Sequence, residues 1–269
     1  MYTPLEITQK TEELWIKKWT NSFRRTFVLW ILWWMFVAMW AAFSINTMTG
    51  MWGELPYWLM KLFGWFVFCL WLVLVILAGG ELFTWNVLLI IAWLQKKIKT
   101  NQFLKNLFAV WIGNLVWSLI IVILLFLWGF HALSDNAVWN TLLKVASHKL
   151  ALSFTQAVVM GILCNIFVCF AIWVWYSWKT ATDKVMAIIF PITAFAAIWF
   201  EHIVANMFYL PYGYLIAHFT NISQNHNEVF TLTNILTKNA IPVTIWNFLW
   251  WTVFCWVFYR LLFLKYKKD

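Results

Sequence analysis

Charged residues, glycine and proline are all scarce in this chain of 269 residues. Asp, Glu, Lys and Arg make up 11% of it and apolar residues 64%, whereas soluble domains carry about 25% charged residues. A water-soluble globule and a disordered chain are therefore both excluded. The four cysteines lie inside apolar runs without paired spacing, so we expect neither a disulfide framework nor a metal site.

The apolar residues fall into six windows, each long enough to cross a bilayer core of about 30 Å. The windows cover residues 27–48, 61–94, 106–130, 150–176, 185–217 and 240–264. We therefore predict an all-α membrane protein with six transmembrane helices over 27–264, a cytoplasmic N-terminal segment at 1–26 and a basic cytoplasmic tail at 265–269. Polar residues at 79–86 and 200–206 interrupt the second and fifth windows, which predicts a break in each of these helices.

Lysine and arginine are distributed unequally between the two sides of the predicted membrane domain. Fifteen lie on the side of the termini, whereas the other side has only Lys61, Lys144, Lys149 and Lys238. Because basic residues concentrate on the cytoplasmic face, both termini are expected in the cytoplasm. The net charge of +9 is explained in the same way, and a nucleic-acid partner is not expected.

Three short segments recur in the same order in the two halves of the chain. Residues 30–37 match 161–168, residues 81–86 match 201–206 in a Glu-x4-Asn pattern, and residues 112–117 match 245–250. Each half has three spans, so the repeat must be inverted across the membrane. Inverted repeats with a broken helix in each half are typical of transporters and channels.

The breaks predict where a permeation path runs, because irregular backbone at membrane depth survives only when it is buried or lines a cavity. A half-helix that starts there presents free N–H groups and a positive dipole end, which favour an anion. We interpret Glu81 and Glu201 as structural residues that cap freed N–H groups. His202 either exchanges a proton with a weak-acid anion or bridges helices as a neutral ring.

Other polar residues near the breaks have two interpretations each. Thr84, Asn165 and Asn206 hydrogen-bond a small oxyanion, or they hold helices together. Lys149 draws anions into a vestibule, or it extends its ammonium towards the membrane surface.

The segments 81–84, 161–173 and 200–208, the last reading Phe-Glu-His-x-x-Ala-Asn-Met, resemble the formate/nitrite transporter family. The resemblance runs from about residue 20 to 262. It implies an aquaporin-like protomer with six helices in two inverted three-helix repeats, assembled as a homopentamer with one pore per protomer. It also implies specific pore residues: a gate of Leu82, Phe83 and Thr84, apolar constrictions at Phe68 and Phe195, a central His202, and polar vestibule partners Asn165 and Lys149.

The resemblance makes formate the first expected substrate, in a bacterial-type cytoplasmic membrane. Nitrite and hydrosulfide remain alternatives, as does a neutral-solute pore, although that pore normally has an Asn-Pro-Ala pair and this chain has none. No catalytic cluster is recognisable, so neither enzymatic activity nor a cofactor is expected.

Tryptophan is as abundant as glycine is scarce, with 24 Trp against 9 Gly. The resemblance implies glycine at many positions that have tryptophan here: residues 34, 40, 65, 71, 85, 117, 178, 199, 246, 250 and 251. We hypothesise that many of these tryptophans arise from UGA codons that the cell of origin reads as glycine. The alternative is an interfacial aromatic belt, but Trp34, Trp71 and Trp117 fall well inside the spans.

Overall fold

The computed structural model describes residues 2–3, 6–7, 9–10, 13, 16, 37–51, 54–77, 81–220 and 226–259. In these residues the chain forms a succession of helices. They are α1 (Val37–Met48), α2 (Tyr57–Leu77), α3 (Phe83–Leu94), α4 (Thr100–Trp128), α5 (Ala137–Ala151), α6 (Phe154–Ser177), α7 (Ala181–Ala197), α8 (Ile203–Phe219) and α9 (Ile241–Tyr259). A π-helical stretch at Ile235–Ala240 leads into α9. Most of the predicted N-terminal segment, the start of the first span and the predicted basic tail lie outside the described residues.

The two predicted helix breaks are present. The second window is divided between α2, which ends at Leu77, and α3, which begins at Phe83. The fifth is divided between α7, which ends at Ala197, and α8, which begins at Ile203. The windows at 106–130 and 150–176 correspond to the single helices α4 and α6.

Local sequence determines where the long helices start and stop. Ser153 and Gln156 form a reciprocal capping box at the start of α6, in which each backbone N–H donates to the other side chain. Helix α4 ends at Trp128 and is capped by Gly129, whose φ of +81° is a left-handed conformation that glycine adopts without steric cost. With 29 and 24 residues, α4 and α6 are both long and apolar enough to cross a bilayer.

The helices pack around α6, which contacts both α7 and α9. Helix α2 packs against α7, while α8 packs against α4 and α5. Large apolar side chains such as Phe108, Leu127 and Phe190 are more than two-thirds exposed on the outside of this bundle. An apolar exterior is expected for a surface that faces lipid or another membrane-embedded protomer.

The short N-terminal segment identifies the two ends of the bundle. The backbone N–H of Tyr2 donates to the carbonyl of Ser177, at the last residue of α6, over 2.8 Å. The start of α6 therefore lies at the opposite end of the bundle. The start of α2 lies there too, because Tyr57 and Lys61 line one cavity with Gln156 of α6.

Candidate functional site

Helices α3 and α8, the second halves of the two broken helices, begin with the same hydrogen bond. The N–H of Phe83 donates to Asn114 Oδ1 over 3.2 Å, and the N–H of Ile203 donates to Asn247 Oδ1 over 3.0 Å. Asn114 and Asn247 are both buried, on α4 and α9. An asparagine from the third helix of each repeat thus satisfies a free N–H at each half-helix start.

Each half-helix also contains the matching Glu–Asn pair. Asn86 Nδ2 donates to Glu81 Oε2 over 3.1 Å, and Asn206 Nδ2 donates to Glu201 Oε2 over 2.7 Å. The same two amide groups donate to a further asparagine on the third element of their own repeat, Asn106 at 2.9 Å and Asn239 at 2.7 Å. The inverted repeat is therefore reproduced down to individual hydrogen bonds.

Only the second break holds a buried ion pair among the described residues. Lys149 Nζ lies 2.9 Å from Glu201 Oε1, and both side chains are at most 5% exposed. Glu201 Oε2 also accepts from Asn239 Nδ2 over 2.8 Å. The carboxylate is thus held by an ammonium and two side-chain amides, whereas the backbone N–H of Ile203 goes to Asn247.

His202 and Thr84 bring the two breaks together. His202 Nε2 lies 2.9 Å from Thr84 Oγ1, and both residues are almost completely buried. His202 Nδ1 accepts the N–H of Ala205 over 3.3 Å, which makes His202 the N-cap of α8. Because an accepting Nδ1 has no proton, the neutral ring has its proton on Nε2 and donates it towards Thr84.

The remaining predicted residues lie around this centre. Leu82 and Phe83 are buried immediately before Thr84. Asn165 Nδ2 donates to the carbonyl of Asn247, which ties α6 to α9. Phe68 and Phe195 lie on α2 and α7, but their side chains are outside the described residues.

A cavity of about 480 Å³ opens at the end of the bundle opposite the N-terminal segment. Its walls include Tyr57, Lys61, Lys144, His148, Gln156 and Trp199. We call it the outer cavity. Two lysines in its wall give it a positive potential that attracts small anions.

Sequence reasoning did not identify the four asparagines that organise the breaks: Asn106, Asn114, Asn239 and Asn247. A signal for them was present, because Asn114 and Asn247 occupy the same place in the third sequence match. Asn106 and Asn239 each lie eight residues before that partner. A single asparagine within an apolar helix is ordinarily assigned to helix association, so the cap role becomes visible only from the distances.

Two half-helices that start at one buried polar centre, within inverted repeats, define a membrane transport protein with a pore in the protomer. The sequence model described as "Formate/nitrite transporter" matches residues 5–261. The chain belongs to this family.

Curated relatives and solved structures agree with the family. The chain is 34% identical to the formate channel FocA of Escherichia coli (strain K12), over 97% of this chain and 94% of the relative. It is 37% identical to the formate channel FocA of Haemophilus influenzae, over 84% and 82%. A solved structure described as a pentameric formate channel with formate bound superimposes with a TM-score of 0.81 at 30% identity, covering 90% of this chain and 97% of the other.

Proposed function

We propose that this protein carries formate across the membrane, through a pore in each protomer of a homopentamer. The contact of His202 with Thr84 carries this proposal, because it joins the two half-helix starts at one buried, hydrogen-bonding centre. The relatives' names support formate as the substrate, and the pentameric neighbour supports the assembly. Transport without catalysis is the activity that this arrangement suits.

The path begins at the outer cavity, where Lys61 and Lys144 raise the local concentration of small anions. Beyond it, the buried side chains of Leu82 and Phe83 exclude water. The resemblance adds Phe68 and Phe195 as proposed constrictions of the same path. An anion in this dry region needs hydrogen-bond donors that are already in place. The donors we assign to this task are the Thr84 hydroxyl and His202 Nε2–H, whose proton the anion shares with Thr84 Oγ1 in a three-centre hydrogen bond.

The hydrogen bonds of His202 limit how it takes part in proton exchange. A second proton on the ring must go to Nδ1, and this breaks the cap bond from Ala205 N–H. Protonation of His202 is thus coupled to loosening of the first turn of α8. We infer that formate receives a proton at this centre only together with that local change, so a neutral His202 donor is the resting state.

The other predicted residues hold the path in shape. Glu81 and Glu201 maintain the breaks through Asn86, Asn206 and Lys149, while Asn165 positions α9 against α6. We further propose that both termini face the cytoplasm of a bacterial-type cell, as the lysine and arginine distribution predicts.

Formate flux into proteoliposomes tests the function, with internal pH recorded and nitrite, hydrosulfide and glycerol compared. We expect saturable formate uptake. His202→Asn should lower it about ten- to a hundredfold, because one hydrogen bond to a charged group contributes about 1.5–3 kcal/mol. His131→Asn is the matched control, because His131 stacks on Phe126 in the turn after α4, away from the breaks. Faster nitrite or hydrosulfide uptake would reassign the substrate, and uptake of glycerol alone would contradict an anion pore.

A further inference from the structure

Trp199 has a backbone conformation that suits glycine. Its φ is +68°, in the left-handed region, where a side chain crowds the backbone. The other described non-glycine residues with positive φ are Lys96, Ser134, Asp135 and Asn136, all polar residues in connections between helices. Trp199 is instead a bulky aromatic residue in the break that precedes His202. Glycine adopts this conformation without steric cost.

The indole of Trp199 lies in the wall of the outer cavity. Lys61 Nζ is 3.0 Å from the centroid of the Trp199 ring, and His148 meets that ring edge-on with a centroid distance of 5.0 Å. Trp199 is also the cavity-wall residue nearest to His202 in sequence. A glycine here would remove a large aromatic side chain from the wall of this cavity.

Two further tryptophans bury a polar group without a partner. The indole N–H groups of Trp40 and Trp139 are buried, and no hydrogen-bond acceptor lies within reach of them in the described part of the chain. Burial of an unpaired N–H is unfavourable. Glycine at either position would remove the group altogether.

In other tryptophans the indole N–H group has a hydrogen-bond acceptor. Trp93 Nε1 donates to Thr100 over 2.9 Å, and Trp111 Nε1 donates to Thr244 over 3.2 Å. The described tryptophans therefore include one set that fits its surroundings and another set that glycine would fit better.

The crossing of α6 and α9 supports the same division. Gly161 on α6 accepts from Asn247 Nδ2 over 2.8 Å, and a Cβ atom on Gly161 would lie 3.9 Å from the backbone nitrogen of Asn247, so the two backbones approach closely there. A Cβ atom on Gly161 would lie 3.5 Å from the Cβ of Trp246. The inverted repeat pairs Trp246 with Gly113, and close helix crossings in membranes favour small residues.

We propose that residues 40, 139 and 199 are glycine in the functional protein, encoded by UGA that the cell of origin reads as glycine, whereas residues 93 and 111 are true tryptophans encoded by UGG. Residue 139 is an addition to the positions identified from the sequence. One reassigned codon accounts for the excess of tryptophan and the shortage of glycine together. This inference does not depend on which solute is transported.

The gene and the natural protein provide the first test. We expect UGA at codons 40, 139 and 199 and UGG at codons 93 and 111. Peptide mass spectrometry of the protein from its own cells should then find glycine at the first three positions and tryptophan at the other two. UGG at codon 199, or tryptophan in the corresponding peptide, would overturn the proposal.

A stability comparison tests position 199 by itself. Both Trp199→Gly and Trp199→Ala remove the indole, but only alanine keeps a Cβ at positive φ, so the glycine variant should have the higher Tm. Trp111→Gly and Trp111→Ala are the matched pair inside helix α4, where the order should reverse because alanine favours helix. An alanine variant as stable as the glycine variant at 199 would contradict the inference. Neither measurement requires formate flux, so failure here is separate from failure of the proposed function.

Discussion

At the scale of single residues, His202 has two tasks that are usually separate. It caps α8 through Nδ1 and contacts Thr84 through Nε2, so its ring is fixed at both nitrogen atoms. Rings fixed in this way have little freedom to reorient, because any rotation loses both hydrogen bonds. The donor that we assign to the anion is therefore preorganised before an anion arrives.

The ion pair of Lys149 and Glu201 provides a prediction at the same scale. Lys149→Met leaves the Glu201 carboxylate buried with only neutral partners, which should lower the free energy of unfolding by about 3–5 kcal/mol. The double variant Lys149→Met with Glu201→Gln should recover much of this loss, because no uncompensated charge remains. Thermal unfolding of the purified protein measures the unchanged chain and the two variants. A double variant less stable than Lys149→Met would contradict the pairing.

At the scale of helices, an asparagine caps each of the two half-helix starts, but the two asparagines make different numbers of hydrogen bonds. Asn114 accepts from the N–H of Phe83. Asn247 accepts from the N–H of Ile203 and also donates to the carbonyls of Gly161 and Glu201. The side-chain amide of Asn247 consequently links the second break to both α9 and α6.

This inequality predicts the relative cost of removing each cap. Asn247→Leu should cost about 2–4 kcal/mol, since each buried hydrogen bond contributes about 1 kcal/mol and partners are left unpaired. Asn114→Leu should cost about 1–2 kcal/mol for the same reason. Chemical or thermal unfolding in detergent gives the comparison. Equal losses would show that the additional bonds of Asn247 contribute nothing.

The sequence predicts the breaks well because polar residues such as Glu81 and Glu201 interrupt long apolar windows. It shows that Glu and Asn recur with one spacing, but it assigns the freed N–H groups to the two glutamates. In the structure Asn114 and Asn247 accept from those N–H groups, and each glutamate accepts from its own asparagine instead. It does not predict α5, a fifteen-residue helix that lies between two spans and is too short to cross a bilayer. Nor does it reveal the backbone of Trp199, because positive φ depends on how the surrounding helices are placed.

At the scale of the whole molecule, the exterior of α4, α6 and α7 is apolar, with Phe108, Phe170 and Phe190 more than half exposed. A monomer and an oligomer both suit such a surface in lipid. Our proposal of a pentamer predicts that native mass spectrometry of the detergent-purified protein gives five copies of the chain. A monomeric mass for the unchanged chain would contradict it. Leu127→Ala is the control for a mild change of the exposed face and should also give five copies.

The π-helical stretch at Ile235–Ala240 has a consequence for how the chain varies between relatives. Asn239 lies at its end and meets Glu201 and Asn206, whereas Asn106 makes its corresponding contact from the regular helix α4. A π-helical turn contains more residues than an α-helical turn. The helical register of the residues before it therefore does not fix the register of α9. We therefore expect insertions and deletions before residue 235 to leave the Asn239 contacts in register. A single insertion between residues 239 and 247 should instead rotate one asparagine away from its break.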